Sequence, residues 1–204
     1  MAAPLRVFLS AGEPSGDLHG GAVVTALRER IPGIEIDALG GPRIAAAGAT
    51  VRFPMERYTV LGFVEILGKL PAHLQLLRRL KKDFASGKYD LALLIDYPGF
   101  HLRVAEAARH HGVKVLYYIA PQLWAWQPKR ARRFAAAVDR MAVVLPFEPA
   151  FFARHRIRAE YVGHPLLDRA PLPSREGARQ RLGIGQGTRV LGLFPGSRKQ
   201  EVAR

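Results

Sequence analysis

Short apolar runs alternate with stretches of helical period along almost the whole chain, and no other feature of the sequence restricts its fold as much. Arg6–Leu9, Glu35–Leu39, Leu91–Ile95, Lys114–Ile119, Arg140–Leu145 and Glu160–Val162 read as strands. Asp17–Arg30, Pro42–Ala47, Pro71–Phe84, Leu102–His111, Pro128–Ala137 and Pro149–Arg154 read as helices between them. Leu91–Ile95 is apolar without a break, the pattern of a strand covered on both faces. Leu70, Leu74, Leu77, Leu80 and Phe84 mark one helical face, with Pro71 in a first turn that tolerates it. This order of elements predicts a doubly wound α/β domain built on a parallel sheet.

The pattern changes after Pro165. Pro171 and Pro173 interrupt the next stretch, and Gly183, Gly185 and Gly187 crowd its end. Residues 1–165 are therefore read as one Rossmann-like domain and residues 166–188 as a linker enclosing a short helix near Arg175–Leu182. Val190–Phe194 reads as a new strand, followed by Pro195-Gly196-Ser197-Arg198 and a helix-like Lys199–Arg204. Residues 189–204 thus look like the first strand and helix start of a second α/β domain, cut short at the last residue.

Several function classes are disfavoured. The chain has no cysteine, which removes disulfides and thiolate metal sites. The seven histidines show no metal-ligand spacing with a carboxylate, so no metal is expected. The loop after the first strand lacks both the Gly-x-Gly-x-x-Gly pattern and the Gly-Lys-Ser/Thr ending of nucleotide loops, so no cofactor is expected either. No Gly-x-Ser-x-Gly elbow is present. The run Val7–Leu9 is too short for a signal peptide, and no run reaches membrane-spanning length, so any membrane association would be peripheral. A formal charge of +14 calls for an anionic partner: nucleic acid, an anionic membrane or a phosphorylated substrate.

Three segments could carry chemistry. Ser10–Asp17 joins a strand to a helix through small residues, which makes either a site for an anionic or hydroxylated ligand or simply a tight turn. Asp96 follows the buried strand Leu91–Ile95 and precedes Tyr97-Pro98-Gly99-Phe100. At a strand's carboxyl end, beside aromatic rings, its carboxyl group suits a general base of raised pKa; capping the next helix is the alternative. Pro121-Gln122-Leu123-Trp124-Ala125-Trp126 ends the following strand with both tryptophans of the chain, suited to ligand contact or to packing.

A fourth segment points to a surface. Val60, Leu61, Phe63, Val64, Ile66, Leu67 and Leu70 are followed by Arg78, Arg79, Lys81 and Lys82. An apolar patch with a basic cluster behind it fits a membrane-surface element, and equally a helix packed on the sheet with its cations in water.

Taken together these segments resemble the lipid-A-disaccharide synthases, glycosyltransferases of the GT-B architecture. The resemblance runs the length of the chain. It rests on Ser10–Asp17, Gly40-Gly41-Pro42-Arg43, Leu61–Leu67, Asp96–Phe100, Pro121–Trp126, Leu145-Pro146-Phe147-Glu148, Val162-Gly163-His164-Pro165 and Leu193–Arg198. It implies an inverting transfer in lipid A and lipopolysaccharide biosynthesis. UDP-2,3-diacylglucosamine and 2,3-diacylglucosamine 1-phosphate would give the disaccharide 1-phosphate and UDP. It implies Asp96 as the base, with Gly12, Ser15, Gly16 and Asp17 shaping the sugar site and Gln122 and Trp124 among the substrate contacts. Arg198 would hold the diphosphate with the backbone of Gly196 and Ser197. Residues 60–70 would dock on the cytoplasmic face of the inner membrane, with Arg78 and Arg79 on anionic lipid. Another GT-B transferase using a different UDP-sugar would share the fold without needing the apolar stretch. A basic nucleic-acid module would want its charges on one face between aromatics, and here they are spread over many helices.

Overall fold

The computed structural model describes residues 3–59, 63–126, 128–168 and 173–194. The chain divides into two compact units, Met1–Pro165 and Leu166–Arg204.

The first unit holds a single parallel sheet of seven strands. They are β1 (Arg6–Ala11), β2 (Glu35–Gly40), β3 (Thr50–Pro54), β4 (Leu91–Ile95), β5 (Lys114–Tyr118), β6 (Arg140–Val143) and β7 (Ala159–Tyr161), in the spatial order β3-β2-β1-β4-β5-β6-β7. The helices are α1 (Pro14–Arg30), α2 (Pro42–Ala46), α3 (Phe63–Ala85), α4 (Pro98–His110), α5 (Leu123–Trp126), α6 (Ala131–Ala137) and α7 (Glu148–Arg154). This is the predicted doubly wound α/β fold, and its strand order reverses between β1 and β4.

Side chains alternate across each strand, so the central strands feed two cores. Phe8 and Leu94 join Leu80, Phe84, Leu102, Tyr117 and Phe134 on the face covered by α3, α4 and α6. Val7, Leu9, Leu93 and Ile95 join Val24, Ile36 and Ile44 on the face covered by α1 and α2. Burial on both faces explains why Leu91–Ile95 carries no polar residue. Ala11 pairs with Ile95 in the register of β1 and β4, so the loops that begin at Gly12 and Asp96 leave the sheet side by side.

Several boundaries differ from expectation for identifiable reasons. α3 starts at Phe63, and Pro71 lies inside it rather than in its first turn. The proline removes one helical hydrogen bond, but the helix is anchored on both sides of it. Lys69 donates to the carbonyls of Glu56 and Thr59, and His73 bonds to Tyr97. α4 starts at Pro98 rather than Leu102, using proline as a first-turn residue. The expected helix Pro128–Ala137 is a 3-10 turn at Pro128–Arg130 followed by α6. β3 and α5 lacked clear sequence signals. β3 is an edge strand whose apolar run is broken by Arg52 and closed by Pro54, a residue that edge strands accept.

In the second unit, α8 (Arg175–Arg181) is capped by Ser174, whose Oγ accepts from the Gly177 N–H at 3.1 Å. Buried Arg179 donates to the carbonyls of Gly185 and Thr188. The strand expected at Val190–Phe194 is not formed: no other strand lies among the described residues of this unit to pair with it, and Phe194 is 94% exposed. Among the described residues no helix is long and apolar enough to cross a membrane, and no cluster of side chains could hold a metal ion.

Candidate functional site

In an open parallel sheet a crevice forms outside the carboxyl ends of the strands where the strand order reverses. Here that place is flanked by the loop at Gly12 and the loop at Asp96.

Asp96 and Tyr97 both adopt left-handed backbone, with φ of 49° and 53°. For residues with a side chain this costs on the order of 1 kcal/mol each, so the surroundings have to impose it. The Asp96 N–H donates to the Tyr118 carbonyl at 3.0 Å. The Asp96 carbonyl accepts from two buried donors, His101 Nδ1 at 2.6 Å and the Tyr117 hydroxyl at 2.5 Å. A carbonyl accepts only, so Nδ1 of His101 carries the proton. Full burial drives the His101 pKa down to about 3 and keeps the ring neutral. Its Nε2 is therefore an acceptor, and the Ser10 hydroxyl, 2.7 Å away, donates to it. The chain Ser10–His101–Asp96 carbonyl fixes the backbone kink at Asp96.

Burial raises the pKa of that carboxyl group, and the Tyr97 N–H and the charge of His19 partly offset the rise. The N-cap position of α4 is Tyr97, which supplies no side-chain cap. Asp96 stands one residue earlier, so the helix-cap alternative has the wrong residue. A partly buried carboxyl group of raised pKa, fixed at the crevice, has the attributes of a proton acceptor.

Tyr97 closes the space behind. A Cβ on Gly12 would lie 2.5 Å from the Tyr97 ring, so glycine is required there. The Tyr97 hydroxyl donates to the Tyr58 carbonyl at 3.0 Å and lies 2.8 Å from His73 Nε2. Burial, with the charge of Glu13, pushes the Tyr97 pKa up to about 12.

The other expected site residues fall into distinct places. Asp17 is 2% exposed. Its carboxylate accepts from the N–H groups of Gly41, Arg43 and Ile44 at 2.8, 3.1 and 3.2 Å. It caps α2 from α1 and so shapes the rim there. Gly16 packs on Ala11, where a Cβ would meet the Ala11 Cβ at 3.2 Å. Ser15 is exposed in the first turn of α1, and Gln122 is exposed beyond β5. Trp124 is 36% exposed, with its ring edge-on to Phe147 at 5.0 Å. Its Nε1 donates to Glu148 at 3.3 Å. Buried Glu148 also accepts from the N–H groups of Val144 and Leu145 at 3.2 and 2.9 Å, which ties α5 to the end of β6. Ile119, at the end of β5, is a β-branched residue at φ 59°, a third strained position on this rim.

Val60, Leu61, Gly196, Ser197 and Arg198 lie outside the described residues. Phe63, Val64, Ile66 and Leu67 lie on α3 with side chains outside the described set, as does that of Trp126 on α5. Leu70 is 43% exposed, and Arg78 and Arg79 are exposed on α3. Sequence reasoning missed Ser10, His101 and Tyr117 as supports of Asp96. A signal was present for one of them: His101 follows Asp96 by one helical turn beyond Pro98, and a buried polar residue on a core-facing helix needs partners.

The family model described as lipid-A-disaccharide synthetase matches residues 7–204. The lipid-A-disaccharide synthase of Geobacter sulfurreducens is 43% identical over 200 residues, covering 98% of this chain and 52% of that protein. That of Pseudomonas aeruginosa strain LESB58 is 43% identical over 205 residues, covering 100% and 54%. That of Myxococcus xanthus is 40% identical over 205 residues, again covering 100% and 54%. The chain thus spans about half the length of the curated relatives it matches. A crystal structure of UDP-N-acetylglucosamine 2-epimerase superposes with a TM-score of 0.56 at 14% identity, covering 81% of this chain and 54% of that one. The epimerase from Neisseria meningitidis bound to UDP-GlcNAc gives 0.55 at 10% identity, covering 81% and 47%. These two likenesses concern the fold alone.

Proposed function

Because the chain belongs to the lipid-A-disaccharide synthetase family, we propose that it works in the inverting transfer that joins UDP-2,3-diacylglucosamine to 2,3-diacylglucosamine 1-phosphate. Asp96 takes the proton from the acceptor 6-hydroxyl. The hydroxyl oxygen forms the new bond to the anomeric carbon from the face opposite UDP, and UDP departs with the electron pair of the broken bond. One base is enough for such an in-line displacement. Arg198, with the backbone of Gly196 and Ser197, steadies the diphosphate as charge builds there. Gly12, Ser15 and Gly16 form the sugar-side rim, and Gln122 and Trp124 add contacts from the next strand end. Residues 60–70 keep the acyl chains at the cytoplasmic face of the inner membrane, with Arg78 and Arg79 toward lipid phosphates.

One observation carries this reading. The carboxyl group of Asp96 has a raised pKa and stands where the strand order reverses, on backbone that three neighbouring groups hold in an unfavourable conformation. Such strain concentrates at functional sites.

The test is transfer from UDP-2,3-diacylglucosamine to 32P-labelled acceptor in detergent. The chain is assayed alone and joined to the remaining part of the Geobacter sulfurreducens relative. Labelled disaccharide from the joined protein, reduced on the order of 100-fold or more by Asp96→Asn, is expected. Product undiminished by Asp96→Asn moves the base elsewhere, and no product from a folded joined protein overturns the substrate assignment.

A further inference from the structure

A small cationic cavity lies outside the site described above. It has a volume of about 170 Å³ and sits between β3, the turn at Met55–Arg57 and the middle of α3. Arg52, Arg57, Arg79 and Gln75 line it over a floor that includes Phe53 and Tyr58, and no acidic side chain is among its lining residues.

Each of the three guanidinium groups lies near an aromatic ring, and those of Arg57 and Arg79 are exposed. Arg52 and Arg79 lie over the ring of Phe53 at 5.5 and 5.8 Å, and Arg57 lies over that of Tyr58 at 6.0 Å. Arg57 also donates to Gln75 Oε1 at 3.3 Å. Stacking fixes the plane of an otherwise mobile side chain and leaves its N–H edges free to bind. Arg52 is already neutralised, with Asp37 at 3.3 Å and Asp83 at 2.9 Å on its Nη1. Among the described residues, Arg57 and Arg79 have no acidic side chain within ion-pair distance, and they line the cavity from the Met55–Arg57 turn and from α3.

We propose that this cavity binds a phosphomonoester group. Two arginines lining one small cavity supply the charge and the paired N–H donors that phosphate oxygens accept, and the volume suits a phosphate head rather than a nucleotide. The floor residue Tyr58 offers its carbonyl to the Tyr97 hydroxyl, so an anion seated here lies one hydrogen bond from the Asp96–Tyr97 kink. The phosphate can come from a lipid headgroup or from a free phosphate, and the pocket chemistry is the same for both.

The proposal is tested by binding alone and does not depend on transfer activity. The full chain is titrated with inorganic phosphate by calorimetry, and separately with phosphatidylcholine vesicles with and without phosphatidic acid. Arg57→Gln and Arg79→Gln should each weaken binding about tenfold or more, the loss of one charge-assisted hydrogen-bonding partner. Arg154→Gln changes an exposed cation on α7 that does not line the cavity and should leave affinity within about twofold. Binding of both probes supports the site with free phosphate as a ligand, and binding of phosphatidic acid vesicles alone supports it with a lipid headgroup. Absence of both overturns it, as does an equal loss in Arg154→Gln, which would mean diffuse surface attraction. If Arg79→Gln does not fold, Arg79→Lys keeps the charge, removes the fork and should still weaken binding severalfold.

Discussion

His101 Nδ1 donates to the carbonyl oxygen of Asp96 at 2.6 Å, so a helix residue holds the backbone of the strand-end residue that precedes its own helix. Replacing His101 with alanine leaves both that carbonyl and the Ser10 hydroxyl short of a partner, and opens a void in a fully buried place. A loss of about 3 kcal/mol in urea denaturation is expected, larger than that of an exposed histidine such as His110 replaced in the same way.

The same residue makes stability depend on pH. His101 is neutral when folded, with its pKa near 3, and ordinary when unfolded. Below the ordinary histidine pKa the unfolded chain takes up a proton that the folded chain refuses. Stability therefore falls as pH drops from about 6.5 toward about 3, by up to about 1.4 kcal/mol per pH unit from this group. His101→Asn keeps a donor and does not titrate. Denaturation midpoints measured across this window should slope less in the variant.

Gly12→Ala places a methyl group against the Tyr97 ring at 2.5 Å, and the ring has to move. Destabilisation of about 1–3 kcal/mol is expected from such overpacking. In a Tyr97→Ala background the same substitution should cost much less. A double-mutant cycle read by chemical denaturation gives this coupling, and additive effects would contradict the contact.

Asp17→Asn turns one carboxylate oxygen into an amide that faces backbone donors. Oδ1 receives Gly41 and Ile44, and Oδ2 receives Arg43, so neither orientation of the amide satisfies all three. A cost of about 2 kcal/mol is expected in urea denaturation. Hydrogen exchange at the amides of Gly41, Arg43 and Ile44 should rise more than at those of β4.

The central strands were legible because β1 and β4 are covered on both faces, and burial left a continuous apolar record in Val7–Leu9 and Leu91–Ile95. β3 was not, because an edge strand needs one apolar face and its Arg52 serves an ion-pair network instead. Pro71 misled for a related reason: local chemistry says that a helix begins there, while Lys69 and His73 hold it from contacts far away in sequence. At the site, Asp96 could be named because a carboxylate at a strand end has few uses. Its supports could not. His101 and Tyr117 act through the Asp96 carbonyl, and the sequence says nothing of where a backbone oxygen points.

The clamp made by Asp17 also governs where this chain can change its length. It ties the first turn of α1 to the first turn of α2, so residues added between 41 and 44 would pull on the loop at Gly12. The opposite rim of the sheet has no such tether at Gly33, Gly87 and Gly112, each at positive φ with open space where a side chain would begin. Insertions and fused tags belong at those three turns, and a library of length variants should keep its survivors there.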